Sequence, residues 1–69
     1  MRLSARNRLT GTVSDVRRGD TIANVVVDVG GQRLVASITV EAVDELGLTA
    51  GREVTAVIKA SDVMIGVAD

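Results

Sequence analysis

An all-β protein, a small barrel of five short strands with one helix between the third and fourth, is the fold that this sequence predicts. Three observations point there. The 69 residues leave room for one domain, spanning 1–69. Runs rich in Val, Ile and Thr recur along the chain, separated by breaks rich in Gly, Asp and Ser. Only one stretch, from Thr39 to Gly47, carries apolar residues at helical spacing.

The first strand is read over Leu9–Val16, where Thr and Val alternate weakly with polar residues, and Arg17-Arg18-Gly19-Asp20 reads as a turn. Ile22–Val29 is almost continuously apolar and β-branched. Val25, Val27 and Val29 share one face and Val26 lies on the other, so burial on both sides is expected. Gly30-Gly31 is a two-residue hairpin signal of type I′ or II′. Gln32–Ile38 returns, with Leu34, Ala36 and Ile38 on one face. Thr39 then caps a short helix, with Glu41 in the first turn, Val40, Val43 and Leu46 as its buried stripe, and Gly47 as its stop. After a connector at 48–51, Arg52–Ile58 is a fourth strand, Lys59-Ala60-Ser61-Asp62 a turn or helical turn, and Val63–Val67 a last short strand. That order suits a barrel of the OB type, with a flatter antiparallel sheet in a dimer as the alternative.

The core is made without Phe, Tyr, Trp, Cys or Pro; Val, Ile, Leu and Ala dominate it. Each aromatic side chain removes about 150–250 Å² from water, so their absence leaves a small chain short of burial. With no disulfide and no Cys/His metal site to compensate, self-association is the expected route to stability. Met1-Arg2-Leu3-Ser4 runs straight into polar residues without a secretory pattern, and no apolar run approaches the roughly 20 residues of a membrane span. A cytoplasmic location, with no membrane partner, is the expectation.

Catalysis has little to work with. There is no His or Cys to act as base, nucleophile or soft metal ligand. Asp44 and Glu45 are neighbours on different sides of a helix rather than a catalytic pair. We expect no enzymatic activity, no organic cofactor and no direct protein–metal ligands. Binding of single-stranded nucleic acid is an alternative, because OB-type barrels serve it and residues 1–18 hold five Arg against Asp15 alone. It ranks low, since stacking platforms for bases are aromatic and this chain has none.

Anion binding fits better. Ser4-Ala5-Arg6-Asn7 near one end and Lys59-Ala60-Ser61 near the other each set a cation two residues from a serine. Arg6 and Lys59 supply charge-assisted hydrogen bonds, about twice as strong as neutral ones. Ser4 and Ser61 supply hydroxyls, and the small Ala5 and Ala60 leave backbone N–H groups approachable. Thr39, at a helix start, is a further candidate. Neither motif alone surrounds a ligand, so the two are expected to meet between subunits. A donor-only pocket selects among anions. The proton of HPO₄²⁻ would go unpaired there at a cost of about 1–3 kcal/mol, whereas sulfate, molybdate and tungstate escape that penalty.

Those motifs, with Gly11, Val13, Glu45-Leu46-Gly47-Leu48, Gly51, Ala56-Val57-Ile58 and Val63-Met64, closely resemble the molbindin family of Mop or TOBE-type molybdate-binding domains, over essentially the entire chain. The resemblance implies an OB-like barrel that binds molybdate and tungstate for molybdenum storage and homeostasis in the cytoplasm. It also implies a homohexamer, a trimer of dimers with anions at subunit interfaces. Ser4, Ala5, Arg6, Lys59, Ala60 and Ser61 would form one class of site. A second class would fall near Thr21-Ile22-Ala23. The chain departs from the family pattern at Arg8, where Gln is frequent. A regulatory oxyanion-sensing module, acting on a transporter or transcription factor supplied in trans, is the rival function.

Overall fold

The computed structural model describes residues 2–69. Its elements are β1 (Asn7–Arg18), β2 (Ile22–Val29), β3 (Gln32–Thr39), α1 (Val40–Leu46), β4 (Glu53–Ile58) and a 3₁₀ turn (Ala60–Asp62). The four strands form one antiparallel sheet in the order β3-β2-β1-β4.

β1 is the spine of the sheet and is longer than the sequence pattern predicts at both ends. Its first half pairs with β4, from Asn7↔Ile58 to Thr12↔Glu53. Its second half pairs with β2, from Thr12↔Asp28 to Arg18↔Ala23. The changeover coincides with a bulge between Val13 and Asp15. A bulge adds a residue to one strand, bends it and increases its twist. The extra residue, Ser14, donates its hydroxyl to the Val26 carbonyl at 3.2 Å. Next to the bend, Gly11 is obligatory: a Cβ there would lie 2.6 Å from the Asp28 carbonyl oxygen and 2.7 Å from Val27 Cγ1.

The β2–β3 hairpin turns on Gly30 and Gly31, with φ of 56° and 85°, the two positive values of a type I′ turn. The Asp28 carboxylate accepts the Gly31 N–H at 3.0 Å. Thr39 caps α1 as expected, its Oγ1 accepting the Ala42 N–H at 3.1 Å, and Gly47 ends the helix in the left-handed conformation.

The core is small. Val13, Ala23, Val25, Val27 and Val43 are buried, with Val16, Val29, Leu34, Ile38, Val40, Leu48 and Val54 packed around them. Val26 is also buried, on the opposite face of β2, which accounts for the unbroken valine run.

Two expectations are corrected. Among the described residues the sheet has four strands, not five, because Val63–Val67 joins no ladder. The barrel is consequently open. β3 and β4 are its free edges, and the cleft between them, about 440 Å³, is lined by Leu34, Ala36, Ile38, Val54, Ala56 and Ile58 among others. The segment after the 3₁₀ turn leaves the domain with Met64 94%, Ile65 87% and Val67 84% exposed. A strand forms only where an edge accepts its backbone groups. In a single copy this segment has left both open edges unpaired.

Candidate functional site

The two donor motifs extend from the same end of the β1–β4 ladder within one protomer. Asn7↔Ile58 is the last rung of the β1–β4 ladder. Asn7 Nδ2 donates to the Ile58 carbonyl at 3.2 Å and ties that rung across the strands. The next residues outward are Arg6 on one chain segment and Lys59 on the other, followed by Ala5 and Ala60, then Ser4 and Ser61. Antiparallel register brings the segments carrying Arg6 and Lys59, 53 residues apart in sequence, to the same end of the ladder.

Strand alternation decides which side chains share a face. On β1, Gly11 and Val13 are buried, and Asn7 is half-buried on the same face; Arg8, Thr10 and Thr12 are exposed on the other. Ala5 continues the inward set and is 8% exposed, so it packs rather than presenting its side chain. Arg6 is exposed, in step with Arg8. On β4, Val54, Ala56 and Ile58 are half-buried and Thr55 and Val57 exposed, which puts Lys59 outward as well. Arg6 and Lys59 are thus both exposed, one residue beyond the last rung and at the outward positions of the alternation that β1 and β4 set.

Neither is held in an ion pair among the described residues, and Asp62, in the turn after Lys59, is the carboxylate nearest along the chain. The two ion pairs among the described residues are Arg17 with Asp15 at 3.1 Å and Arg18 with Asp44 at 3.0 Å. Neither involves Arg6, Arg8 or Lys59. After Lys59 the chain enters its 3₁₀ turn, closed by Asp62 N–H to the Lys59 carbonyl at 2.9 Å and Val63 N–H to the Ala60 carbonyl at 3.3 Å. The first N–H groups of such a turn have no partner within it, and those belong to Ala60 and Ser61. The hydroxyl-bearing Ser4 and Ser61 are both exposed. Cations, hydroxyls and amides are thus all carried by the few residues just beyond the last rung.

The remaining candidates lie elsewhere. Thr21, Ile22, Ala23 and Thr39 cluster at the opposite end of β1, where Arg18↔Ala23 and Ile22↔Thr39 pair. Ala23 is 1% exposed, so only its backbone is available to a ligand. The Thr39 hydroxyl oxygen is engaged by the helix cap, and the Val40 N–H donates to the Thr21 carbonyl at 2.9 Å. Two of the amides at the helix start are thus already bonded. Asn7, another candidate, uses one amide N–H on Ile58 and acts first as a brace.

Reading the sequence alone placed the start of the first strand at Leu9 and so missed that Arg8 shares the outward face with Arg6. The two-residue spacing of Arg6 and Arg8 was the available signal.

Residues 3–65 match the TOBE domain family. The chain is 46% identical to molybdenum-pterin-binding protein 1 of Clostridium pasteurianum over 66 residues, covering 94% of this chain and 97% of that protein. Its fold superposes on a molybdate binding protein from Sporomusa ovata with a TM-score of 0.92, at 39% identity, over 97% of this chain and 100% of the other. It also superposes on the cytoplasmic molybdate-binding protein ModG, in a form with molybdate bound, with a TM-score of 0.93 and 49% identity. That match covers 99% of this chain and 49% of the ModG chain.

Proposed function

The chain belongs to the TOBE domain family, and on that premise we propose that it binds molybdate and tungstate and serves cytoplasmic molybdenum storage and homeostasis. It acts by binding, without catalysis. The observation that carries this reading is the cationic end of the β1–β4 ladder, where Arg6 and Lys59 are in no ion pair among the described residues. Arg6 and Lys59 offset the charge of a dianion, while Ser4, Ser61 and the amides of Ala60 and Ser61 direct protons at its oxygens. Full-length relatives named for molybdenum-pterin or molybdate binding support the choice of ligand.

The site is assigned to Ser4, Ala5, Arg6, Lys59, Ala60 and Ser61, with Ala5 contributing only backbone. One protomer covers the anion from one side, since these residues lie on an exposed face. Completion by a second copy is part of the reading: a homo-oligomer, a hexamer built as a trimer of dimers, with anions at subunit interfaces. The open β3/β4 edges and the exposed apolar segment at 63–67 support self-association. Thr21-Ile22-Ala23 remains the location of a second class of site, reached through backbone groups.

Isothermal calorimetry tests the assignment. Molybdate and tungstate are expected to give saturable heats on the assembled protein, with sulfate weaker and phosphate weakest. Arg6→Ala and Lys59→Ala are each expected to lower molybdate affinity at least tenfold with the far-UV circular dichroism unchanged. Wild-type heats from both variants would remove these residues from the site.

A further inference from the structure

Arg8 is an exposed cation on the outward face of β1, opposite Val57 and one outward position from Arg6. Lys59, the residue after β4 ends, is at the diagonal position across from it. Diagonal neighbours of this kind are about 7–8 Å apart at the backbone, within reach of long side chains. The acidic residue on this face of the pair is Glu53, opposite Thr12. Four residues along a strand is about 13 Å, beyond the Debye length of about 8 Å at physiological ionic strength. Arg8 is in neither of the two ion pairs among the described residues, whereas Arg17 and Arg18 are each held by a carboxylate. Arg6, Arg8 and Lys59 thus place three cations at one ladder end, none of them in an ion pair among the described residues, with Asp62 in the turn after Lys59 as the carboxylate nearest along the chain.

We propose that Arg8 is a third cation of the oxyanion site and sets its preference for doubly charged over singly charged tetrahedral anions. The proposal rests on the assignment of Arg6 and Lys59 given above. Arg8 is set back from the ladder end, where Ser4, Arg6, Lys59 and Ser61 gather, so it acts through its field rather than by enclosing the ligand. A field effect is proportional to the charge it acts on. Its contribution to the binding free energy of a dianion is thus twice that for a monoanion of the same size and shape.

Tungstate and perrhenate are the probes, both tetrahedral tetroxides, with charges of −2 and −1. Calorimetric titration with tungstate, and competition of perrhenate against it, are run on the assembled wild type, Arg8→Gln and Arg8→Lys. In low salt, Arg8→Gln is expected to lose about tenfold in tungstate affinity and about threefold for perrhenate, the square root of the first. Arg8→Lys should retain most of both. The tungstate gap between wild type and Arg8→Gln should close as ionic strength rises from about 10 to about 300 mM. Unchanged affinities, equal losses for both anions, or a gap indifferent to salt would overturn the role of Arg8 while leaving the site itself in place. A wild type that takes up neither anion would overturn the site, and the role of Arg8 with it.

Discussion

Asn7 illustrates how a residue shapes the site without holding the ligand. Its amide bridges to the Ile58 carbonyl at the last rung, immediately before Arg6 and Lys59. Asn7→Ala removes that bond and should cost about 1 kcal/mol of stability, together with a several-fold loss of molybdate affinity as the ladder end frays. Calorimetry and urea unfolding together check both. Gly11 is the opposite case, far from the ligand and intolerant of change. A methyl at that position would meet the Asp28 carbonyl oxygen at 2.6 Å, so Gly11→Ala is expected to lower stability by about 2 kcal/mol or more in urea unfolding. Arg6 and Lys59 differ from both, because their substitution should leave the urea midpoint nearly unmoved while removing charge from the site. Exposed side chains with no ion-pair partner contribute little to folding.

Among the elements, those specified by short-range chemistry were legible in the sequence and those specified by register were not. The helix is local: Thr39 as cap, Val43 as its buried residue and Gly47 as its stop all lie within nine residues. Thr39→Ala should therefore cost about 1 kcal/mol in urea unfolding, the usual worth of an N-cap. The Gly30-Gly31 hairpin is local too, and its neighbouring valines fall where alternation puts them. β1 is not local. Its extension through Asn7 depends on β4, which arrives some fifty residues later, and its bend depends on the extra residue at Ser14. Weak alternation over Asn7-Arg8-Leu9 gave no sign of either. The same gap hid the adjacency of Arg6 and Lys59: the motifs could be recognised as donors, but only pairing between β1 and β4 reveals that they share a ladder end. Arg17 and Arg18, read as a turn, stay in the strand because β2 pairs with them through Asn24 and Ala23.

For the whole molecule, a small core and an open sheet are what the proposed self-association would complete. Five buried residues, none larger than valine, form its centre, and an apolar cleft separates β3 from β4. The missing fifth strand has the same origin. Val63–Val67 has a strand composition, but its partner is not decided by anything within the protomer. In the proposed assembly, the cleft and the segment 63–67 are covered by neighbouring copies. Deleting residues 63–69 is then expected to reduce the oligomer to smaller species in sedimentation velocity and to lower thermal stability. An unchanged sedimentation coefficient, scaled for mass, would show that the segment takes no part in assembly. No helix among the described residues is long and apolar enough to cross a membrane.

The most direct measurement is a crystal structure of the assembled protein grown with tungstate, the ion located by its anomalous scattering. The account predicts density at the β1–β4 ladder end, with Arg6 and Lys59 side-chain nitrogens about 2.7–3.2 Å from tungstate oxygens. Tungstate bound with neither residue in contact, or none bound under saturating conditions, would contradict it.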